Sequence, residues 1–291
     1  MTADTRMRVH EMAAALERAD ASARVLGARA LAARDGAGPA AAFSALAAAG
    51  PDGLVPPVGT GGALAARHLE HAALAAAAAA EVLPADAIEA LGHAAGEARS
   101  QSGGGNALDP RGAALAVRRE VAAVRGLLEG SMPRDATWHV MRLGTFLPRG
   151  AWMSALLLAC ARVAGDDPAA AGATWGAAAR VAAAPAGALG DHADDVLDGL
   201  LLDERLPMSV AHALDQVTSA LFALSRHEST ESGPLALARA TATRLASPAT
   251  GALLRSDPCA AIAEMLDAIG ALAGSVVPTA TRPAGPRAIA A

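Results

Sequence analysis

Lysine and tyrosine are absent from the 291-residue chain, and cysteine occurs only twice. Without lysine, the chain cannot form a Schiff base through a lysine amine or place a lysine ammonium on ATP phosphates. Two cysteines are too few for a disulfide framework or a cysteine-based zinc site. Cys160 and Cys259 both lie in apolar helical stretches, which predicts two buried thiols.

Aromatic residues are also scarce, at 2% of the chain, whereas hydrophobic residues make up 53%. A core of this composition is packed by Ala, Leu and Val, which suits close contact between helices. Alanine is the strongest helix former, and β-branched residues, which favour strands, are sparse. The composition therefore predicts an all-α fold with a sizeable core.

Long apolar runs and an excess of positive charge are missing as well. The longest strongly apolar runs, Ala72–Ala80 and Ala151–Ala161, are well short of the roughly 20 residues that a membrane helix needs. The segment Met1–His10 is polar, unlike a signal peptide, and the net charge of -5 does not suit a general nucleic-acid binder. We therefore expect a cytoplasmic protein with no membrane or nucleic-acid partner.

Aspartate–proline pairs divide the chain into helices. Asp109-Pro110, Asp167-Pro168 and Asp257-Pro258 each place an N-capping carboxylate before a proline at the first helical position. These signals predict a single helical bundle of about ten helices over residues 1–277. The remaining residues, 278–291, are rich in Pro and Ala and are expected to form a disordered tail.

Two long predicted helices, at about 4–34 and 135–164, share an apolar pattern with steps of three and four residues. The first seam consists of Val9, Met12, Leu16, Ala19, Ala23, Leu26 and Ala30. The second, displaced by 131 residues, consists of Val140, Leu143, Leu147, Gly150, Ser154, Leu157 and Ala161. A further match relates 109–127 to 205–224. These matches predict two weakly related helical units within one body.

A Glu-Arg pair, Glu17-Arg18, lies beside the first seam, and Arg149 occupies the place equivalent to Arg18 beside the second. Consecutive helical residues point about 100° apart, so Glu17 and Arg18 must reach different partners. Two interpretations remain open for these side chains: ion pairs between helices, or a polar ligand site between helices. Pro148 lies inside the second helical pattern and predicts a bend there.

Four collinear stretches resemble the bacterial alpha-E family, whose helical domain carries Glu-Arg motifs. One of them, Arg125–Met132, resembles the family segment that ends in Glu-Met-Trp. The segment Leu16-Glu17-Arg18-Ala19-Asp20 resembles the first motif, and the stretch from Trp138 to Gly150 resembles the second. In the second motif Arg142 and Arg149 match, whereas Pro148 replaces the glutamate. Residues 195–224 resemble a later family helix. The chain is therefore similar to a divergent alpha-E protein with an eroded second motif.

The resemblance implies a function in an amide-bond-forming or peptide-modifying system, because alpha-E proteins accompany ATP-grasp ligases and transglutaminase-like proteins. One hypothesis is a non-catalytic helical subunit that binds the ligase or its peptide substrate. The alternative is an enzyme that acts on a carboxylate or phosphate intermediate. The candidate ligand- or partner-binding residues are Glu17, Arg18, Arg24, Arg142 and Arg149, and no catalytic residue is assigned.

The missing lysine, the replaced glutamate and the lack of a recognisable nucleophile–base pair favour the subunit hypothesis. In that hypothesis the chain holds no cofactor or metal of its own, and ATP and magnesium belong to the partner ligase. A homo-oligomer is a further expectation.

Overall fold

The computed structural model describes residues 2–50, 60–103, 109–183, 189, 192–226 and 233–280. These residues form twelve α-helices and no strand, which confirms the predicted all-α class. The helices are α1 (Ala3–Asp35), α2 (Ala37–Ala49), α3 (Gly61–Ala77), α4 (Ala85–Gly103), α5 (Pro110–Ser131), α6 (Ala136–Asp166), α7 (Ala171–Ala182), α8 (Ala193–Leu202), α9 (Val210–Ser225), α10 (Gly233–Leu245), α11 (Pro248–Ser256) and α12 (Pro258–Ala280).

The three aspartates before prolines act as helix caps, as predicted. The Asp109 carboxylate accepts a hydrogen bond from the Arg111 backbone N–H at 2.8 Å at the start of α5. Asp167 accepts from Ala169 at 3.1 Å and begins a short 3-10 turn that leads into α7. Asp257 accepts from Ala260 at 2.9 Å at the start of α12. Each carboxylate satisfies an N–H group that lacks a partner within its helix.

Helices α1 and α6 pack against each other at the centre of the fold. Gly144 allows their close approach, because a Cβ atom there would collide with the carbonyl oxygen of His10. Farther along both helices, Arg149 hydrogen-bonds Glu17. The two helices therefore run in the same direction. The residues that face each other are separated in the sequence by about the displacement between the two apolar seams.

The other helices extend from this central pair. Helices α3 and α5 pack on α1, whereas α9 and α12 pack on α6. The sequence match between 109–127 and 205–224 therefore falls on two helices, α5 and α9, that pack on α1 and α6 respectively. This arrangement agrees with two related helical units, although their common origin stays a prediction.

Two hydrophobic clusters make up the core, and both central helices contribute to each. One cluster joins the first half of α1 to α3, α4, α5 and the start of α6. The other joins the end of α1 to α2 and to helices from α6 onward. Because α1 and α6 cross both clusters, side chains at their shared contact are held by packing on both sides.

Three details differ from the sequence-based expectations. Helix α11 was not predicted, because its nine residues carry too short an apolar pattern to stand out. Cys160 is buried as expected, but Cys259 is only half-buried, so the prediction of two buried thiols is wrong for Cys259. Helix α12 continues to Ala280, three residues into the predicted tail, and 281–291 lie outside the described residues.

Two of the described helices are long and apolar enough to span a membrane by length and composition, α6 and the Pro258–Val276 part of α12. The apolar window of α6 is 78% buried within the fold. That degree of burial is typical of the central helix of a globular core. The window of α12 is only 33% buried. Helix α6 runs through Pro148 without interruption, and the expected bend stays a prediction.

Candidate functional site

The carboxylate of Glu17 lies at the junction of α1, α5 and α6, with 3% of the residue exposed. Arg149 of α6 holds it through two parallel hydrogen bonds. The Arg149 Nε donates to Oε1 at 2.8 Å, and NH2 donates to Oε2 at 2.7 Å. Such a two-pronged contact is the strongest geometry for an arginine and a carboxylate, and here both groups are buried.

Arg125 brings α5 into the same network. Its guanidinium donates through NH2 to the Glu17 carboxylate and through NH1 to Asp20 at 3.1 Å. Glu17 and Asp20 lie three residues apart and therefore share a face of α1. One arginine thus spans both carboxylates and connects α5 to α1.

Asp20 is the second buried carboxylate, and it receives further arginines. Arg24, one turn along α1, donates to it at 3.0 Å, and Arg118 of α5 lies 3.6 Å away. Burial alone would raise the pKa of Asp20, but Arg24 and Arg125 lower it by charge and hydrogen bonding, so the pKa lies below its usual range. Asp20 is therefore a charged, structurally engaged group.

Arg149 is itself held in place from a third direction. Its NH1 donates to the backbone carbonyl of Pro207, just before α9, at 3.2 Å. Burial lowers the pKa of Arg149, but the charge and hydrogen bonds of Glu17 raise it more, so the net direction is upward. The network thus ties α1, α5, α6 and the approach to α9 together.

A column of alternating aromatic rings and guanidinium groups follows α6 away from this network. The Arg149 guanidinium lies 4.7 Å from the ring centre of Phe146, and that of Arg142 lies 4.9 Å from the same ring. The Arg142 guanidinium also lies 5.7 Å from the ring centre of Trp138, and the Arg134 guanidinium lies 3.6 Å from the ring centre of the same tryptophan. These cation–π contacts hold Arg142 in a half-buried position.

Arg18 lies outside the network. Its residue is exposed, and within the described part of the chain its guanidinium has no hydrogen bond or ion pair. Although the residue is exposed overall, partial desolvation of its guanidinium lowers the pKa of Arg18, and the charge of Glu11 partly offsets this. Burial, followed by the charge of Arg18, also lowers the pKa of His68 on α3 to about 4. Arg18 therefore acts on its surroundings through charge alone.

The structure brings together three of the five candidate residues. Glu17, Arg24 and Arg149 belong to one network, Arg142 belongs to the adjoining column, and Arg18 points elsewhere. The sequence reasoning missed Asp20, Arg118 and Arg125 as site residues. Their spacing held a signal, because Asp20 shares a helix face with Glu17 and the two α5 arginines are seven residues apart.

The geometry limits what Glu17 can do chemically. A general base or nucleophile needs an unoccupied lone pair within reach of substrate, whereas both oxygens of Glu17 accept from arginines in a buried position. Within the described residues, no three His, Cys, Asp or Glu side chains come together as potential metal ligands. The arrangement suits structural support and anion recognition better than proton transfer.

Comparison with known proteins places the chain in a family. No curated protein and no solved structure is significantly similar to it. A family model, Alpha-E, described as a predicted alpha-helical domain with a conserved ER motif, matches residues 63–277. Glu17 and Arg18 precede the matched range, and the Glu-Arg pair inside it, Glu204-Arg205, has an Arg205 side chain that is 91% exposed. Since the match covers well over half of its length, the chain belongs to the alpha-E family.

Proposed function

We propose that this chain is a non-catalytic helical subunit of an amide-bond-forming or peptide-modifying system. In this proposal it works in the cytoplasm, where it binds an ATP-grasp-type ligase or the ligase's peptide substrate. ATP and magnesium belong to the ligase, and this chain supplies a rigid helical surface.

The state of Glu17 is the observation that carries this proposal. The carboxylate is buried and accepts hydrogen bonds from Arg149 and Arg125. An enzyme that used Glu17 on a carboxylate or phosphate intermediate would have to break this pairing in a region of low dielectric constant. The observed geometry therefore favours the subunit over the enzyme that the sequence left as the alternative.

Exposed apolar side chains give the proposal a second support. Leu74, Leu115 and Phe222 are 72%, 41% and 48% exposed. A partner protein would remove such surface from water, which is a favourable contribution to association.

The test is to co-express the affinity-tagged chain with the ATP-grasp ligase from its own genome and to measure co-purification and ATP turnover. We expect a stable complex that hydrolyses ATP in the presence of the peptide substrate, and no turnover by this chain alone. Phe222→Glu and Leu74→Glu, purified in parallel, would locate the contact if one of them releases the ligase.

The enzyme alternative gives the opposite result in the same experiment. ATP or acyl-phosphate turnover by the isolated chain, abolished by Arg18→Ala without loss of folding, would overturn the subunit proposal. A chain that remains separate from the ligase under all conditions would overturn it equally.

A further inference from the structure

The arginine network contains more positive than negative charge. Four guanidinium groups, those of Arg24, Arg118, Arg125 and Arg149, surround only two buried carboxylates, Glu17 and Asp20. A structural network of ion pairs gains most when charges balance, because each unpaired buried charge costs solvation energy. The six side chains of this network therefore carry two more positive charges than negative ones.

The excess charge is concentrated at one end of the network, on Arg118. Its Nε is buried without a hydrogen-bond acceptor in the described residues, and its nearest carboxylate oxygen, on Asp20, lies 3.6 Å away. Burial is the largest cause that lowers the pKa of Arg118; the charges of Arg24 and Arg125 lower it further, and Asp20 offsets this only in part. Three guanidinium groups thus compete for one carboxylate.

The same end of the network is open to solvent. The side chains of Arg118 and Arg125 are 34% and 31% exposed, whereas that of Arg149 is 9% exposed. Arg24 is held from the other side, because its NH1 donates to the carbonyl oxygen of Ala182 at 3.1 Å. The carboxylates and α7 therefore hold the guanidinium groups, while the side chains of Arg118 and Arg125 remain partly exposed to solvent.

We propose that Arg24, Arg118 and Arg125 form a binding site for an oxyanion, with the phosphate dianion as the ligand that best offsets two excess positive charges. Fixed guanidinium forks match phosphate and carboxylate oxygens in geometry and retain their charge at any physiological pH. The phosphate or carboxylate belongs to a small molecule or to a peptide. This site does not depend on the proposed ligase partner, so it is tested on the isolated chain.

The experiment is titration calorimetry of the purified full-length chain with inorganic phosphate at constant ionic strength. Acetate and chloride are titrated in parallel. We expect saturable phosphate binding and none for chloride. Arg118→Gln should weaken phosphate binding by about tenfold or more, because it removes a charged hydrogen-bond donor from the site. Arg118→Lys keeps the charge but loses the planar guanidinium fork, so its phosphate affinity should lie between those of wild type and Arg118→Gln.

Arg119→Gln is the matched control, since it removes the same charge from the next, exposed position of α5. It should leave phosphate affinity within about twofold of the wild-type value, as expected for a screened surface charge. Circular dichroism checks that each variant is folded. Tighter binding of acetate than of phosphate would assign the site to carboxylates and keep the proposal.

Two results would overturn the site. The first is the absence of saturable binding of both phosphate and acetate to the folded wild-type chain. The second is equal loss of affinity in Arg118→Gln and Arg119→Gln, which would show a general effect of net charge. Neither result bears on whether the chain co-purifies with a ligase, so the two proposals fail independently.

Discussion

Glu17 and Arg18 are consecutive residues of α1, yet they lie in two regions of opposite character. Glu17 is 3% exposed and is held by arginines from α5 and α6. Arg18 is exposed on the side of α1 that faces His68 of α3, and it has no hydrogen bond or ion pair among the described residues. One residue joins three helices, whereas the other changes only the electrostatic environment near it.

The comparison shows that a two-residue motif on a helix does not define one site. The angle of about 100° between successive side chains directs one of them into the helix junction and the other away from it. The partner of Glu17 is instead Arg149, at the position that the predicted match between the two apolar seams relates to Arg18. The arginine of the second motif thus completes the pair that the glutamate of the first motif begins.

Replacement of Glu17 should have the largest effect on stability. Glu17→Gln leaves the buried Arg149 guanidinium without its countercharge and weakens the contact with Arg125. We expect the free energy of unfolding to fall by about 3 kcal/mol, as is typical when one partner of a buried ion pair is removed. Urea denaturation followed by circular dichroism measures this change.

The same substitution at Glu11 is the control. Glu11 lies on the same helix, and within the described residues it pairs with Arg8 alone, at 3.1 Å between two partly exposed side chains. Glu11→Gln should therefore change the free energy of unfolding by no more than about 0.5 kcal/mol. Equal effects of the two substitutions would remove the difference between the buried junction and the surface of α1.

A double-mutant cycle on Glu17 and Arg149 should give the next largest effect. Because the two side chains share a pair of hydrogen bonds, the loss from Glu17→Gln and the loss from Arg149→Gln should not add. We expect the double variant to be about 2 kcal/mol more stable than the sum of the two single losses in unfolding free energy predicts. Strict additivity would mean that the contact contributes little to the stability of the junction.

Asp20 gives the third prediction, through pH. Its pKa is lowered in the folded protein. Its contribution to the free energy of unfolding is therefore complete above the pKa of Asp20 in the unfolded chain, and it is lost as the pH falls through the pKa of Asp20 in the folded protein. Asp20→Asn should lower the free energy of unfolding by about 1 kcal/mol at pH 7. This difference from wild type should shrink in urea denaturation below the usual aspartate pKa of 3.8.

Asp215→Asn provides the comparison for this pH series. Asp215 is exposed on α9 and bonds only its neighbour Gln216 among the described residues. Its replacement should have little effect on stability at pH 7. A gap between wild type and Asp20→Asn that stays constant from pH 7 to pH 3 would contradict a lowered pKa for Asp20.

The fold was largely predictable because its signals are local. Aspartate–proline pairs mark the starts of α5 and α12, and the caps form as expected. The apolar seams on α1 and α6 predicted the helices that form the centre of the fold. The short helix α11 was missed, because nine residues hold too few turns for a clear periodic pattern.

The candidate site was predictable only in part because its contacts are distant in sequence. Arg149 and Glu17 are 132 residues apart, and Arg125 and Glu17 are 108 residues apart. The adjacency of Glu17 and Arg18 drew attention to a pair that the helix separates. The seven-residue spacing of Arg118 and Arg125 placed both on one face of α5, but nothing local showed that this face meets α1.

The smallest expected effect belongs to Arg18, and it is electrostatic. Burial is the largest cause that lowers the pKa of His68 to about 4, and the charge of Arg18 is the second. Arg18→Gln should therefore raise the pKa of His68 only part of the way towards 6.5, while stability changes by no more than about 0.5 kcal/mol. An NMR titration of the His68 ring protons measures the shift, and Arg205→Gln, at a 91% exposed side chain that pairs with Asp203, is the control. Because the pKa of His68 is lower in the folded protein than in the unfolded chain, its contribution to stability is complete above the pKa of the unfolded chain and is lost as the pH falls. Arg18→Gln brings the two pKa values closer together. It should therefore also reduce the loss of stability between pH 6.5 and 4. An unchanged pKa of His68, or a loss of stability as large as that of Glu17→Gln, would erase the contrast between the two residues.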